Sequence, residues 1–305
     1  MIPVLGENYF IDLDEIEKYI GTKKIVSLTR IEPPLHPDGP EKVLSDWGTE
    51  PELFNEEFFL RWFKDGGYRP KYNKPTNGIF APWAFMKADF QEIGGHDPLY
   101  APQSKEDSDI FNRFLLNNYQ FIQLWEAAVY HMTCRGSRFN PTLTTPGKNS
   151  NEWEAQNMRS TRNFIRKWGH FVKHDPLMKP VIPPKYDIGF IVENCGLPHL
   201  EVLEPWCSTI YIKDDMQLIV PDYIKKEQPN TKFDLQERIK PYDNEKQNNI
   251  LVSFDASKLT NQNFQLLTQL PEIIKDSGEI GTFNLDIFTV DIVHMIEYQN
   301  NLIKL

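Results

Sequence analysis

Residues 104–130, "SKEDSDIFNRFLLNNYQFIQLWEAAVY", carry the reading on which the fold turns. The first part gathers three carboxylates, Glu106, Asp107 and Asp109, ahead of Ile110, Phe111, Phe114 and Leu115, whose three- and four-residue spacing makes one apolar helix face. Ser104 and Asp107 stand in the S-x-x-D spacing of a helix start. Asp109 and Arg113 are four apart and set to pair across one turn, a contact worth about 0.3 to 0.5 kcal/mol if exposed. Capping, compensation of the helix dipole and one solvent ion pair thus account for every charge without any function. A catalytic base beside a bound phosphate is the competing explanation. Directly behind the helix, "YQFIQLWEAAVYHMT" (residues 119–133) predicts one or two strands, so a helix feeds a strand and the class is α/β.

Working upstream, "DLDEIEKYIG" places Leu13, Ile16 and Ile20 at helical spacing and stops at Gly21, and "KKIVSLTRI" then predicts a strand. "NEEFFLRWFKDGG" predicts a helix with Phe58, Phe59, Trp62 and Phe63 on one face and two glycines to end it. "NGIFAPWAFMKADFQEIGG" predicts a strand feeding a short helix, with Asp89 and Glu92 in capping-box spacing and Gly94 as the stop. Working downstream, "HDPLMKPVIPPKYD" (residues 174–187) holds four prolines, which remove backbone donors and disfavour helix, so it predicts the boundary between two units, residues 1–178 and 186–305. The second unit runs strand, helix, strand twice over. It has no Gly-rich phosphate loop, which leaves its role open.

Composition narrows the function classes. A chain of 305 residues, 40% hydrophobic and 25% charged, has the material for two packed cores and is not a disordered sequence. A net charge of -10 argues against binding nucleic acid through a basic patch. No apolar run reaches the length of a membrane span and no signal peptide opens the chain. Cys134, Cys195 and Cys207 lack C-x-x-C spacing, which suits reduced thiols in a cytoplasmic protein.

From Phe85 to Phe139 the chain resembles the acceptor-side half of GT-A glycosyltransferases, especially family 2 and galactosyltransferase-like C-terminal regions. The matching order is an aromatic with I-G-G-x-D (Phe90, Ile93, Gly94, Gly95, Asp97), then E-D-x-D with an apolar helix ending in Arg (Glu106, Asp107, Asp109, Arg113), then a strand delivering His131. The resemblance covers about residues 1–145 and implies an incomplete GT-A-like, Rossmann-like mixed sheet, followed here by a small α/β domain.

The resemblance further implies an inverting transfer of a sugar from a nucleotide-sugar donor to a saccharide, lipid or protein hydroxyl. Asp107 is then the base, with Glu106 its rival, and Glu106 or Asp109 holds the acceptor or the loop. Trp83, Gly94, Gly95 and Asp97 fall on the acceptor side. Arg135 and Arg138 offer guanidinium groups for a diphosphate, and His131 is a ligand for Mn2+ or Mg2+. Such enzymes carry a D-x-D metal motif in an earlier half. The nearest candidate, Asp12 to Asp14, reads as a helix start instead, so the expectation is a C-terminal piece whose nucleotide half lies upstream or on another chain. The alternative is a carbohydrate-binding or scaffolding protein that kept the acceptor groove without catalysis.

Overall fold

The computed structural model describes residues 4–5, 8–11, 14–35, 38–132, 149–213 and 216–298. In chain order they form β1 (Val4–Leu5), β2 (Asn8–Ile11), α1 (Asp14–Tyr19), β3 (Lys24–Glu32), β4 (Lys42–Leu44), α2 (Glu56–Trp62), β5 (Trp83–Ala84), α3 (Lys87–Glu92), α4 (Glu106–Leu116), β6 (Gln120–His131) and α5 (Asn151–Trp168). There follow β7 (Ile188–Glu193), α6 (Leu197–Leu203), β8 (Thr209–Ile212), α7 (Met216–Glu227), α8 (Leu235–Arg238), β9 (Ile239–Pro241), β10 (Ile250–Asp255), α9 (Asn261–Ser277), β11 (Gly281–Leu285) and β12 (Phe288–Ile292).

The first sheet is mixed, in the order β1-β2-β6-β3-β4, with β5 on the free part of the β3 edge. Its centre is the parallel pair β3 and β6, both apolar enough to be covered on two faces. The pairing slips between Leu28↔Leu124 and Thr29↔Ala128, so Trp125, Glu126 and Ala127 bulge from the ladder. Ile25, Ile110, Phe111, Phe114 and Phe121 close the core between this sheet and α4. The second sheet, β11-β12-β10-β7-β8-β9, has four parallel strands in doubly wound order and an antiparallel hairpin at one edge. Its hairpin turns at Asp286, so two strands stand where the second strand, helix, strand run called for a single closing strand. The protein is therefore α/β with one mixed and one largely parallel sheet. No helix among the described residues is long and apolar enough to cross a membrane.

Helix α5, which the hydrophobic pattern does not reveal, lies between the two sheets. It is capped by Ser150, whose Oγ accepts from Trp153 N at 3.1 Å, and ends at Gly169 with φ +81. Phe164 and Trp168 pack on Leu99 and Tyr100 of the first unit, while Ile165 joins the core of the second. Its buried face also carries Ser160, Asn163, Arg166 and Lys167, so apolar periodicity is broken where the burial is deepest. Arg166 explains why: it meets Glu204 at 2.6 Å and Glu227 at 2.8 Å, and Arg238 pairs with the other oxygen of Glu204. Burial pushes the Glu204 carboxyl up, but Arg238 and Arg166 outweigh it and hold the group at about 2.

Several local expectations are corrected. Phe58 is 55% exposed, because α2 turns only Phe59 fully inward, with Trp62 and the following Phe63 packed beside it. Asp89 does not cap α3. It sits inside the helix, and its carboxylate accepts from Lys23 N at 3.1 Å and Tyr119 Oη at 3.4 Å. Ser104 does not cap α4 either, since the residue at the cap is Lys105 in a left-handed conformation.

Candidate functional site

The chain enters α4 through two consecutive left-handed residues, Ser104 at φ +79 and Lys105 at φ +73. Non-glycine residues pay for this geometry in steric strain, on the order of 1 kcal/mol or more each, so the surroundings must impose it. Helix α5 does so: Asn157 Oδ1 accepts from Ser104 Oγ at 2.7 Å and Lys105 Nζ at 2.9 Å, and Gln156 Nε2 donates to Gln103 O at 2.9 Å. The distorted start aims the first turn of α4 into a cavity of about 310 Å3. Glu106, Asp107, Ser108, Phe111 and Asn112 line one side, and Ile79 and Phe80 another.

The third side comes from the segment after α5. Val172, Lys173, His174, Met178 and Pro180 face the cavity, and Asp175 builds the turn among them by accepting from Leu177 N at 2.8 Å and Lys179 N at 2.9 Å. This turn lies against Gly78, where a Cβ would stand 1.9 Å from Leu177 O; only glycine permits the approach. The proline-rich segment read as the boundary between two units is thus also a wall of the cavity. Lys173 ties it to α9 through Glu272 at 2.5 Å.

The electrostatics single out Asp107. Burial, and then the neighbouring Glu106 charge, push its carboxyl up from its ordinary 3.8 to about 6. No ion pair involving Asp107 is found among the described residues. Burial also lowers Lys105, an effect that Glu106 opposes. Two polar atoms at the cavity are buried with no hydrogen-bond partner among the described residues, Glu106 Oε2 and Asn112 Nδ2.

The remaining sequence-marked residues fall elsewhere. Asp109 is fully buried and occupied: Arg113 Nε meets it at 2.8 Å, Lys167 Nζ at 2.7 Å and Trp168 Nε1 at 2.9 Å. Asp97 holds the same Lys167 at 2.9 Å and caps the turn at Leu99. The guanidinium of Arg113 donates to Ile93 O at 2.5 Å and Gly95 O at 2.6 Å, which binds the glycine turn to the acidic helix. Gly94 and Gly95 have φ +85 and +71, and a Cβ on Gly95 would press on the Phe90 ring. Trp83 stacks on Phe85 and meets Phe111 and Phe114 edge-on, behind the Phe111 wall. Much of the glycine and acidic pattern is therefore one buried scaffold, and of these acidic residues Glu106 and Asp107 line the cavity.

His131 is half-buried at the end of β6, opposite Asn8 of β2. Arg135 and Arg138 lie outside the described residues, as do Cys134 and Asp12. Asp14 begins α1, in keeping with a helix start. Among the described residues no group of three or more His, Cys, Asp or Glu is gathered that could hold a metal ion. Cys195 and Cys207 are buried free thiols.

Sequence reasoning missed Asn112, Phe80, His174 and Met178. The signal for Asn112 was present, as an amide interrupting the apolar run from Ile110 to Leu115, five residues after Asp107. The others reach the cavity only through tertiary contacts. The chain matches no protein-family model and no curated protein.

Proposed function

We propose that the protein is a glycosyltransferase of GT-A type, or the acceptor half of one, with Asp107 as the base. The observation that carries this is a carboxylate raised to about 6, outside any ion pair found among the described residues, lining a cavity of about 310 Å3 with aromatic and aliphatic walls. That volume is at the lower end of small-molecule sites and suits one sugar ring at a time. Ionised above about pH 6, Asp107 takes the proton from an acceptor hydroxyl as its oxygen attacks the anomeric carbon of the donor. The bond from that carbon to the diphosphate breaks on the opposite face, the electron pair leaves with the nucleotide diphosphate, and configuration inverts. Glu106, whose Oε2 has no partner among the described residues, would hold the acceptor, a role that this spare acceptor atom supports. The donor is a nucleotide sugar, and the acceptor a saccharide, lipid or protein hydroxyl.

The test is transfer by the full chain from a panel of nucleotide sugars to saccharide acceptors, with Mn2+ or Mg2+ supplied. Transfer that disappears in Asp107→Asn with the fold intact supports the base; an unchanged rate refutes it. Saccharide binding indifferent to nucleotide and metal, with no transfer, supports the carbohydrate-binding alternative.

A further inference from the structure

On α4, residues three and four apart share a face, so Asp107, Ser108, Phe111 and Asn112 look onto the cavity together. Asn112 is at odds with its surroundings. It is only 4% exposed, flanked by Phe111 and beside the apolar face that closes the first core, and its Nδ2 donates to no group among the described residues. A buried amide donor without a partner costs stability that a leucine of similar volume at the same place does not. Six residues earlier, Glu106 Oε2 is buried and accepts from no group among the described residues. A spare donor and a spare acceptor thus line one cavity.

We infer that Asn112 and Glu106 are paired ligand anchors: Asn112 Nδ2 donates to an oxygen of the bound molecule while Glu106 Oε2 accepts a hydroxyl from it. Such a pair selects a neutral polyhydroxy ring, because each hydroxyl both donates and accepts. Two carboxylates in the lining disfavour an anion. Of the two lysines in the lining, Lys173 is paired with Glu272 and Lys105 donates to Asn157 Oδ1 beside the Glu106 charge. Both anchor atoms are covered in the free protein, so engagement takes a rotamer change in each, a common event on binding. The inference rests on the acceptor-site reading and adds which residues grip the acceptor and that the acceptor portion is uncharged.

The experiment uses the full chain, with saturation-transfer NMR for methyl hexosides and their 6-phosphates, and urea denaturation without ligand. Asn112→Leu is expected to raise the urea midpoint and to weaken methyl hexoside binding by about tenfold or more. Asn112→Ala, which cannot overpack, and Glu106→Gln are expected to weaken binding similarly, and the 6-phosphates to bind less than the neutral sugars. A midpoint that falls in Asn112→Leu shows that Nδ2 already has a partner and overturns the inference. Hexoside affinity or transfer unchanged in the Asn112 variants overturns it while leaving Asp107 as base. Preference for the phosphates overturns the neutral ligand. No saccharide binding or transfer by the wild type overturns the proposed function and the inference with it.

Discussion

Asp107→Asn should make the protein more stable at neutral pH and leave it no more stable in acid. The carboxyl is raised from 3.8 to about 6, so the folded state binds this proton more tightly than the unfolded chain does. Stability from that proton is present below about pH 4 and is lost as pH rises through about 6. The shift corresponds to about 3 kcal/mol at most. Because the side chain is only half-buried and keeps contact with the cavity, about 1 to 3 kcal/mol is the working figure. Asparagine has nearly the same shape and no charge to desolvate. Urea denaturation of both proteins at pH 4 and pH 8, followed by tryptophan fluorescence, gives the difference directly, and all other titrations cancel in it. The variant should gain about 1 to 3 kcal/mol over the wild type between the two pH values. A difference that stays constant within about 0.5 kcal/mol, or runs the other way, would show Asp107 solvated or paired, and the argument for a raised base would fall. If the proposed transfer takes place with Asp107 as its base, its rate should climb with pH and level off above about 6.

Three further outcomes follow from neighbouring structure. Asp109→Asn, two residues away, should have the opposite effect and destabilise by about 3 to 5 kcal/mol, because it leaves Arg113 and Lys167 buried with less charge to meet them; a loss below about 1 kcal/mol in urea refutes the scaffold role. Glu204→Gln should cost a similar amount by stranding Arg166 and Arg238. In the wild type the stability that Glu204 supplies should persist as pH falls, fading only between about 4.5 and 2, which acid titration of the denaturation midpoint will show. Gly78→Ala sets a Cβ 1.9 Å from Leu177 O, so it should displace the turn at residues 175–179 and raise amide exchange there, whereas unchanged protection would mean the turn does not depend on that contact.

The part of the fold that could be read from the chain is the part whose burial is apolar and periodic. Strand β3 and helix α4 follow their hydrophobic spacing, and β7, α6 and β8, then β10 and α9, keep the strand and helix order read for the second unit. Helix α5 could not be read this way, because Asn163, Arg166 and Lys167 are buried by ion pairs and hydrogen bonds to residues as distant as Glu204, Glu227 and Asp97. Phe58 shows the converse error, an aromatic at the right spacing that the packing leaves outside.

The sequence by itself determined the α/β class, the helix that presents Glu106 and Asp107, and the glycine turn ahead of it, since these follow from local spacing and backbone freedom. It could not divide the acidic residues by role. Asp107 and Asp109 are the same residue type two positions apart on one helix, and only the tertiary structure turns the first to a cavity and the second onto Arg113, Lys167 and Trp168. The reason is that a carboxylate's chemistry is set by what surrounds it, and those surroundings arrive from α5 and the segment after it, some fifty to seventy residues along the chain.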